Sequence, residues 1–296
     1  MRRENQRAAA IELARRKKRR ALEGDTESKH VLIPELLNHQ KPPTSLEGWN
    51  VHVLFGGRGA GKSLALSAAA YEHMMGPPCD PSIPGGHRGI FLGPTLGDVG
   101  EAFESPAGLQ AIDPNVKMIT RRGGTIISFP NGGRLRALGC YTKEDATRLR
   151  AASNNCCVFI EELAACRQLA RAWSNMRLAL RVGPWRKIFA ATTPQAKPFV
   201  RNLLDDPKVS LSRATMFDNP FVPEEFKQEM LDSYEGTRLY RQEILGELMK
   251  DVFGALWTAE EIDASRIPIS RLLATDHARV FEDLLMNIGS PEQVLA

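Results

Sequence analysis

Apolar positions along the chain fall into short continuous runs separated by longer amphipathic stretches. The runs Val51–Phe55, Gly89–Leu92, Thr125–Phe129, Arg134–Leu138, Cys156–Ile160 and Lys187–Ala191 read as strands. Helical patterns lie at Ser63–Met75, Asp98–Phe103, Lys143–Arg150, Cys166–Leu180 and Pro198–Leu204. Strands that alternate with helices predict an α/β fold, with a mostly parallel sheet covered by helices on both faces. Asn131-Gly132 between two strand-like runs predicts a hairpin turn, and so an antiparallel pair inserted in that sheet. After Asn219-Pro220 the pattern turns helical, at Pro223–Tyr234 and Arg238–Lys250, which predicts a small helical subdomain behind the sheet.

Composition removes several alternatives. The chain has 296 residues and is 43% hydrophobic, too apolar for a disordered tail. No apolar run approaches the roughly 18–20 residues of a membrane span, and the charged N-terminus is no secretory signal. Five cysteines form neither a CxxC pair nor a disulfide framework, which fits a reducing compartment. The six histidines show no metal-ligand spacing with those cysteines, so they read as structural or exposed, and Cys156-Cys157 reads as core packing. The net charge of +4 is unevenly spread: residues 1–23 carry nine Lys/Arg and three Glu, and the remainder is slightly acidic. Residues 1–37 are therefore expected to form a basic helical arm, either solvated or binding nucleic acid or a partner.

Gly56-Gly57-Arg58-Gly59-Ala60-Gly61-Lys62-Ser63 satisfies GxxxxGK[ST], with an apolar strand running into it and an Ala-rich helix leaving it. Glycines there let successive backbone N–H groups converge on a phosphate at the positive end of the helix. Lys62 would reach the β- and γ-phosphates of ATP, and the Ser63 hydroxyl would ligate Mg²⁺. The strand Cys156–Ile160 ends in Glu161-Glu162. At that strand end of P-loop NTPases one carboxylate holds Mg²⁺, and a Glu directly after it activates the attacking water. Glu162 thus favours hydrolysis over phosphoryl transfer to a substrate. Thr192-Thr193-Pro194 closes the next strand and reads either as an ordinary turn or as a sensor of the γ-phosphate.

The ordered set of strings resembles the ATPase region of the tailed-phage terminase large subunit, a P-loop NTPase of the additional-strand, catalytic-glutamate type. The strings are Trp49 to Ser63, Gly93-Pro94-Thr95 with Asp98, Gly123–Gly133, Leu149-Arg150, Glu161–Ala165, Thr192-Thr193-Pro194, Asp218-Asn219-Pro220, Gly236–Glu247 and Gly254–Trp257. The resemblance implies that Gln40 reads adenine, with a linker glutamine as the other reading. It implies that Arg58 touches the γ-phosphate in cis. Arg150 would be an arginine finger for a neighbouring subunit, although Arg148 lies close by. Thr192 and Thr193 would couple hydrolysis to movement. It further implies a core at residues 38–209, a helical lid at 210–258 and a C-terminal extension at 259–296.

The implied activity is ATP hydrolysis that drives double-stranded DNA into a prohead, in the host cytoplasm. The implied partners are the portal protein, the small terminase subunit and further copies of the chain in a ring, with no membrane. Two departures stand out. The metal-binding position, usually Asp in that family, is Glu161. Residues 259–296 are also too few for the nuclease domain found in family members, so no nuclease activity is expected from this chain. A nucleotide-binding regulatory or remnant subunit with little turnover is the alternative, as is another P-loop nucleic-acid ATPase such as a helicase.

Overall fold

Val51–Gly56 (β1) is buried at every position because strands flank it on both sides and helices cover both of its faces. In the computed structural model, residues 31, 35–43, 48–152, 154–248 and 264–265 are described. The chain divides into two units, residues 1–248 and 249–296. Most of the expected basic arm, the string Gly254–Trp257 and nearly all of the C-terminal extension lie outside the described residues.

The other strands are Arg88–Gly93 (β2), Lys117–Arg121 (β3), Gly124–Ser128 (β4), Arg134–Gly139 (β5), Cys157–Ile160 (β6), Lys187–Thr192 (β7) and Val209–Ala214 (β8). They form one sheet in the order β3-β4-β5-β2-β6-β7-β1-β8. β2, β5, β6, β7, β1 and β8 pair in parallel, whereas β3–β4 and β4–β5 are antiparallel. The Asn131-Gly132 turn joins β4 to β5 as expected, with Gly132 at φ 94°. The helices are Lys62–Met75 (α1), Leu96–Glu104 (α2), Leu109–Ile112 (α3), Lys143–Arg148 (α4), Leu169–Ala179 (α5), Pro198–Leu204 (α6) and Glu224–Tyr234 (α7).

Alternation along the central strands divides the core into two layers. Leu54, Phe91, Phe159 and Phe189 pack with Leu66, Met74, Val99 and Phe103 of α1 and α2. On the other face Val53, Phe55, Ile90, Ile160 and Ile188 pack with Leu149, Leu169, Met176 and Val200. Each such fully buried side chain contributes about 1.5–3 kcal/mol. Both faces are covered, so nearly every position in β6 and β7 is apolar. Among the described residues no helix is long and apolar enough to cross a membrane.

Three elements differ from the sequence expectation. β3 is an edge strand with mostly exposed side chains, so it carries no apolar run. Val209–Ala214, placed by sequence at the end of the core (209) and the start of the lid (210–214), is instead β8, which pairs in parallel with β1. That strand covers an edge rather than a core, and its alternation of Ser with apolar residues is weak. Within the helical stretch expected at Arg238–Lys250, the described residues form a π-helical turn at Tyr240–Ile244, and Met249 and Lys250 lie outside the described residues. Gly246, at φ 64°, ends it.

Candidate functional site

β1, β6 and β7 end side by side, and β7 lies between the other two. Phe55, at the mouth of the glycine loop, is directly opposite Thr192. The carboxyl ends of these parallel strands are where an open α/β sheet leaves a crevice. Here the crevice is a cavity of about 850 Å³ lined by Arg58, Lys62, Ser63, Glu161, Glu162 and Thr193, among others.

The glycine loop is held by its carbonyl groups. Lys62 Nζ donates to the Gly57 carbonyl at 3.1 Å, and Asn219 Nδ2 to that of Gly59 at 2.6 Å. His39 Nε2 donates to the Ala60 carbonyl at 3.0 Å, and Gln40 Nε2 to that of Gly61 at 3.0 Å. Planar trans peptides then turn the N–H groups of Gly61 and Lys62 away from these anchors. The N–H groups of Gly57, Arg58 and Ala60 are already spent, on the carbonyls of Ala214, Glu243 and Gly57 respectively. A phosphate cradle is therefore left to the later half of the loop and the first turn of α1. Gly57 must be glycine, since a Cβ there would lie 2.1 Å from the Ile244 carbonyl oxygen.

Glu161 and Ser63 meet directly, with the Ser63 hydroxyl donating to Glu161 Oε1 at 2.6 Å. The extra methylene of Glu161 does not prevent that contact. Its other oxygen, Oε2, is buried and has no hydrogen-bond partner. Burial raises the Glu161 pKa to about 7, the Ser63 hydrogen bond opposes the shift, and the charge of Glu162 adds to it. An orphaned carboxylate oxygen beside a hydroxyl suits a hard cation, which would supply the missing charge and contacts.

Neighbouring residues of an extended strand point to opposite faces, so two carboxylates can share one cavity only if the backbone turns. It turns at Glu162, whose φ of 46° and ψ of 54° are left-handed. Such a conformation costs a non-glycine residue about 1–3 kcal/mol and clusters at functional sites. The Glu162 carboxylate accepts the Thr193 N–H at 3.1 Å and lies 3.8 Å from Lys62 Nζ. Thr192 Oγ1 accepts the Ala164 N–H at 3.0 Å and lies 3.3 Å from Glu162 Oε2.

The remaining sequence-predicted residues divide. Gln40 is buried against the loop, its Oε1 taking the Leu37 N–H at 2.8 Å. Arg58 is largely exposed and pairs with Glu243 at 3.3 Å. Arg150 is exposed on a short 3₁₀ turn after α4, away from the cavity lining, while Arg148 pairs with Asp145 at 3.6 Å. Sequence reasoning missed His39 and Glu243 as loop contacts. His39 sits beside Gln40, but nothing in the sequence shows that an imidazole there faces a carbonyl 21 residues away.

The family model described as "Terminase large subunit, T4likevirus-type, N-terminal" matches residues 53–264. The chain belongs to the terminase large-subunit family. This family member is similar to the large terminase of a thermophilic bacteriophage, with a TM-score of 0.56 and 15% identity over 73% of this chain and 54% of that one. Structures of the same phage terminase in complex with ADP and with ATP-γ-S match with TM-scores of 0.53 and 0.51. Their identities are 16% and 15%, covering 71% of this chain in both cases and 51% and 50% of those chains. At such identities the likeness shows the α/β fold. The chain spans about half the length of that thermophilic-phage terminase. No curated protein matches significantly.

Proposed function

We propose that this chain is the ATP-hydrolysing motor region of a phage terminase large subunit, driving double-stranded DNA into a prohead. One observation carries the reading: Lys62, Ser63, Glu161, Glu162 and Thr193 line one cavity at the ends of adjacent strands. The thermophilic-phage relative, solved with ADP and with ATP-γ-S, supports a nucleotide as the ligand.

In this reading Ser63 and Glu161 hold Mg²⁺, which neutralises charge on the phosphoryl oxygens when bound. Lys62 exchanges the Gly57 carbonyl for the β- and γ-phosphates. The N–H groups from Gly59 to Ser63 take the remaining phosphate oxygens, that of Ala60 leaving the Gly57 carbonyl to do so, with Gly56 and Gly57 shaping the turn beneath them. Glu162, aimed by the Thr193 N–H, orients the attacking water and accepts its proton. Arg58 leaves Glu243 for the γ-phosphate, and Gln40 uses its remaining amide hydrogen towards adenine. Arg150, exposed and free of an ion pair among the described residues, serves a neighbouring subunit in a ring.

Thr192 and Thr193 couple the steps, because the carboxylate that handles water is tethered to the end of β7. The core then runs from about residue 38 to Ala214, and the lid begins at Thr215 and carries α7. Portal protein, small terminase subunit and DNA phosphates are the partners of this assembly, in the host cytoplasm. The test is phosphate release from Mg²⁺-ATP with DNA and portal present. Hydrolysis that Lys62→Ala abolishes is expected, and a rate no higher than that of Lys62→Ala overturns the reading.

A further inference from the structure

A second cluster of ligand-type side chains lies at the amino ends of β2 and β6, the end of the sheet opposite the glycine loop. His73 occupies the last turn of α1, Cys79 the loop that follows, His87 the position before β2 and Cys156 the position before β6. One ligand atom from each lies within 4.8 Å of all the others. His73 Nε2 is 3.3 Å from Cys156 Sγ and 3.9 Å from Cys79 Sγ, and His87 Nδ1 is 3.8 Å from Cys156 Sγ. Zn–S bonds of about 2.3 Å and Zn–N bonds of about 2.0–2.1 Å, at tetrahedral angles, place neighbouring ligand atoms about 3.3–3.8 Å apart. Three of the six pairs, at 3.3–3.9 Å, are close to that spacing, and the rest lie within 4.8 Å.

The surroundings prepare these atoms for the role. His87 Nε2 donates to the Gly76 carbonyl at 3.3 Å, so its proton is on Nε2 and the Nδ1 lone pair faces Cys156. Ligating histidines are commonly oriented by such a bond from the other ring nitrogen. Cys156 is flanked by both imidazoles and by the Cys157 thiol, whose Sγ is 3.6 Å from its own. The Trp185 indole stacks on His73, with centroids 4.2 Å apart. The intervening loop is shaped to bring its ends together: the N–H groups of Cys79 and Asp80 both donate to the Gly86 carbonyl.

We propose that His73, Cys79, His87 and Cys156 form a structural Zn²⁺ site. Two thiolates and two imidazoles suit zinc rather than magnesium or calcium, and four protein ligands leave no open position for catalysis. Binding releases the two thiol protons to solvent, and Cys156 gives up its contact with the Arg88 carbonyl, now 3.2 Å away. The metal staples the loop 76–87 to the ends of β2 and β6. The proposal departs from the sequence expectation that these histidines are structural or exposed and that Cys156 is core packing. Their spacing contains no short ligand pair, and only the fold brings Cys156 to the other three. The proposal is independent of the nucleotide reading.

Protein purified under reducing conditions without chelator is expected to carry about one zinc per chain by elemental analysis. After chelation, the reduced wild type titrated with Co²⁺ should develop the ligand-field and thiolate charge-transfer bands of a tetrahedral site, which Zn²⁺ then bleaches. Tryptophan emission should change with the same stoichiometry, through Trp185. Zinc content should fall at least about tenfold in the Cys79→Ser/Cys156→Ser double variant. The cobalt titration needs only the wild type, so it decides the matter even where the variant fails to fold. Absence of tetrahedral thiolate bands in the reduced wild type overturns the proposal, as does full zinc content in a folded double variant.

Discussion

Gly61 is where the glycine loop becomes helix α1, and its backbone is left-handed, at φ 83° and ψ 26°. A Cβ at this position would stand 2.1 Å from Nε2 of Gln40. Gly61→Ala therefore carries two separable costs. The left-handed backbone costs a residue with a Cβ about 1–2 kcal/mol. Displacing Gln40 also breaks its bonds to the Gly61 carbonyl and the Leu37 N–H, each worth about 0.5–1.5 kcal/mol. The single substitution should thus destabilise the protein by about 2–5 kcal/mol. In a Gln40→Ala background the second cost has already been incurred, so Gly61→Ala should then cost only about 1–2 kcal/mol. Denaturant melts of the four proteins measure the difference, a coupling of about 1–3 kcal/mol. Costs that add to within about 0.5 kcal/mol would refute the placement of Gln40 on Gly61, and with it the picture of a loop clamped by its carbonyls.

Other expectations follow from single contacts. Thr192→Val keeps the shape of the side chain but leaves the buried Ala164 N–H unpaired. It should lower stability by about 1–3 kcal/mol and slow hydrolysis while nucleotide affinity, read by a fluorescent analogue, stays unchanged. Arg58→Ala should cost less than about 1 kcal/mol in thermal melts, because its partner Glu243 is engaged from an exposed position; a larger loss would contradict that geometry. Burial of His52 in β1 lowers its pKa to about 4 from 6.5. The unfolded chain takes up that proton first, so stability falls as pH drops from about 6.5 to about 4, by about 3 kcal/mol in all. Melts of His52→Leu against pH should be flatter than wild type across that window, and parallel curves would exclude the buried imidazole as the cause. Arg150→Ala should leave stability within about 0.5 kcal/mol yet slow hydrolysis in the assembled motor; equal loss in the isolated chain would exclude action between subunits.

The strands and helices that were legible in the sequence are those buried on both faces or amphipathic over several turns. β1, β6 and β7 read as continuous apolar runs because both faces are covered, and α1 follows from its Ala-rich pattern. β3 and β8 lie at the sheet edges, where burial is partial and the apolar pattern is diluted. Of the site, Lys62, Ser63, Glu161 and Glu162 could be named because loop and strand-end chemistry is local. The roles of His39 and Glu243 could not, since each depends on a contact with a loop residue distant in sequence.

The sequence by itself determined the central strands with the helices between them, the family and the positions of the glycine loop and the acidic pair. These are local properties, carried by periodicity and by residue types at fixed spacing. Tertiary structure alone decided that β7 lies between the two site strands and that the Glu162 backbone turns left-handed to aim both carboxylates into one cavity. It also decided that four ligand-type side chains meet at the amino ends of β2 and β6. The reason is the same in each case. Such features arise where segments distant in sequence are pressed together by a core buried on both faces, and residue spacing along the chain carries no record of that.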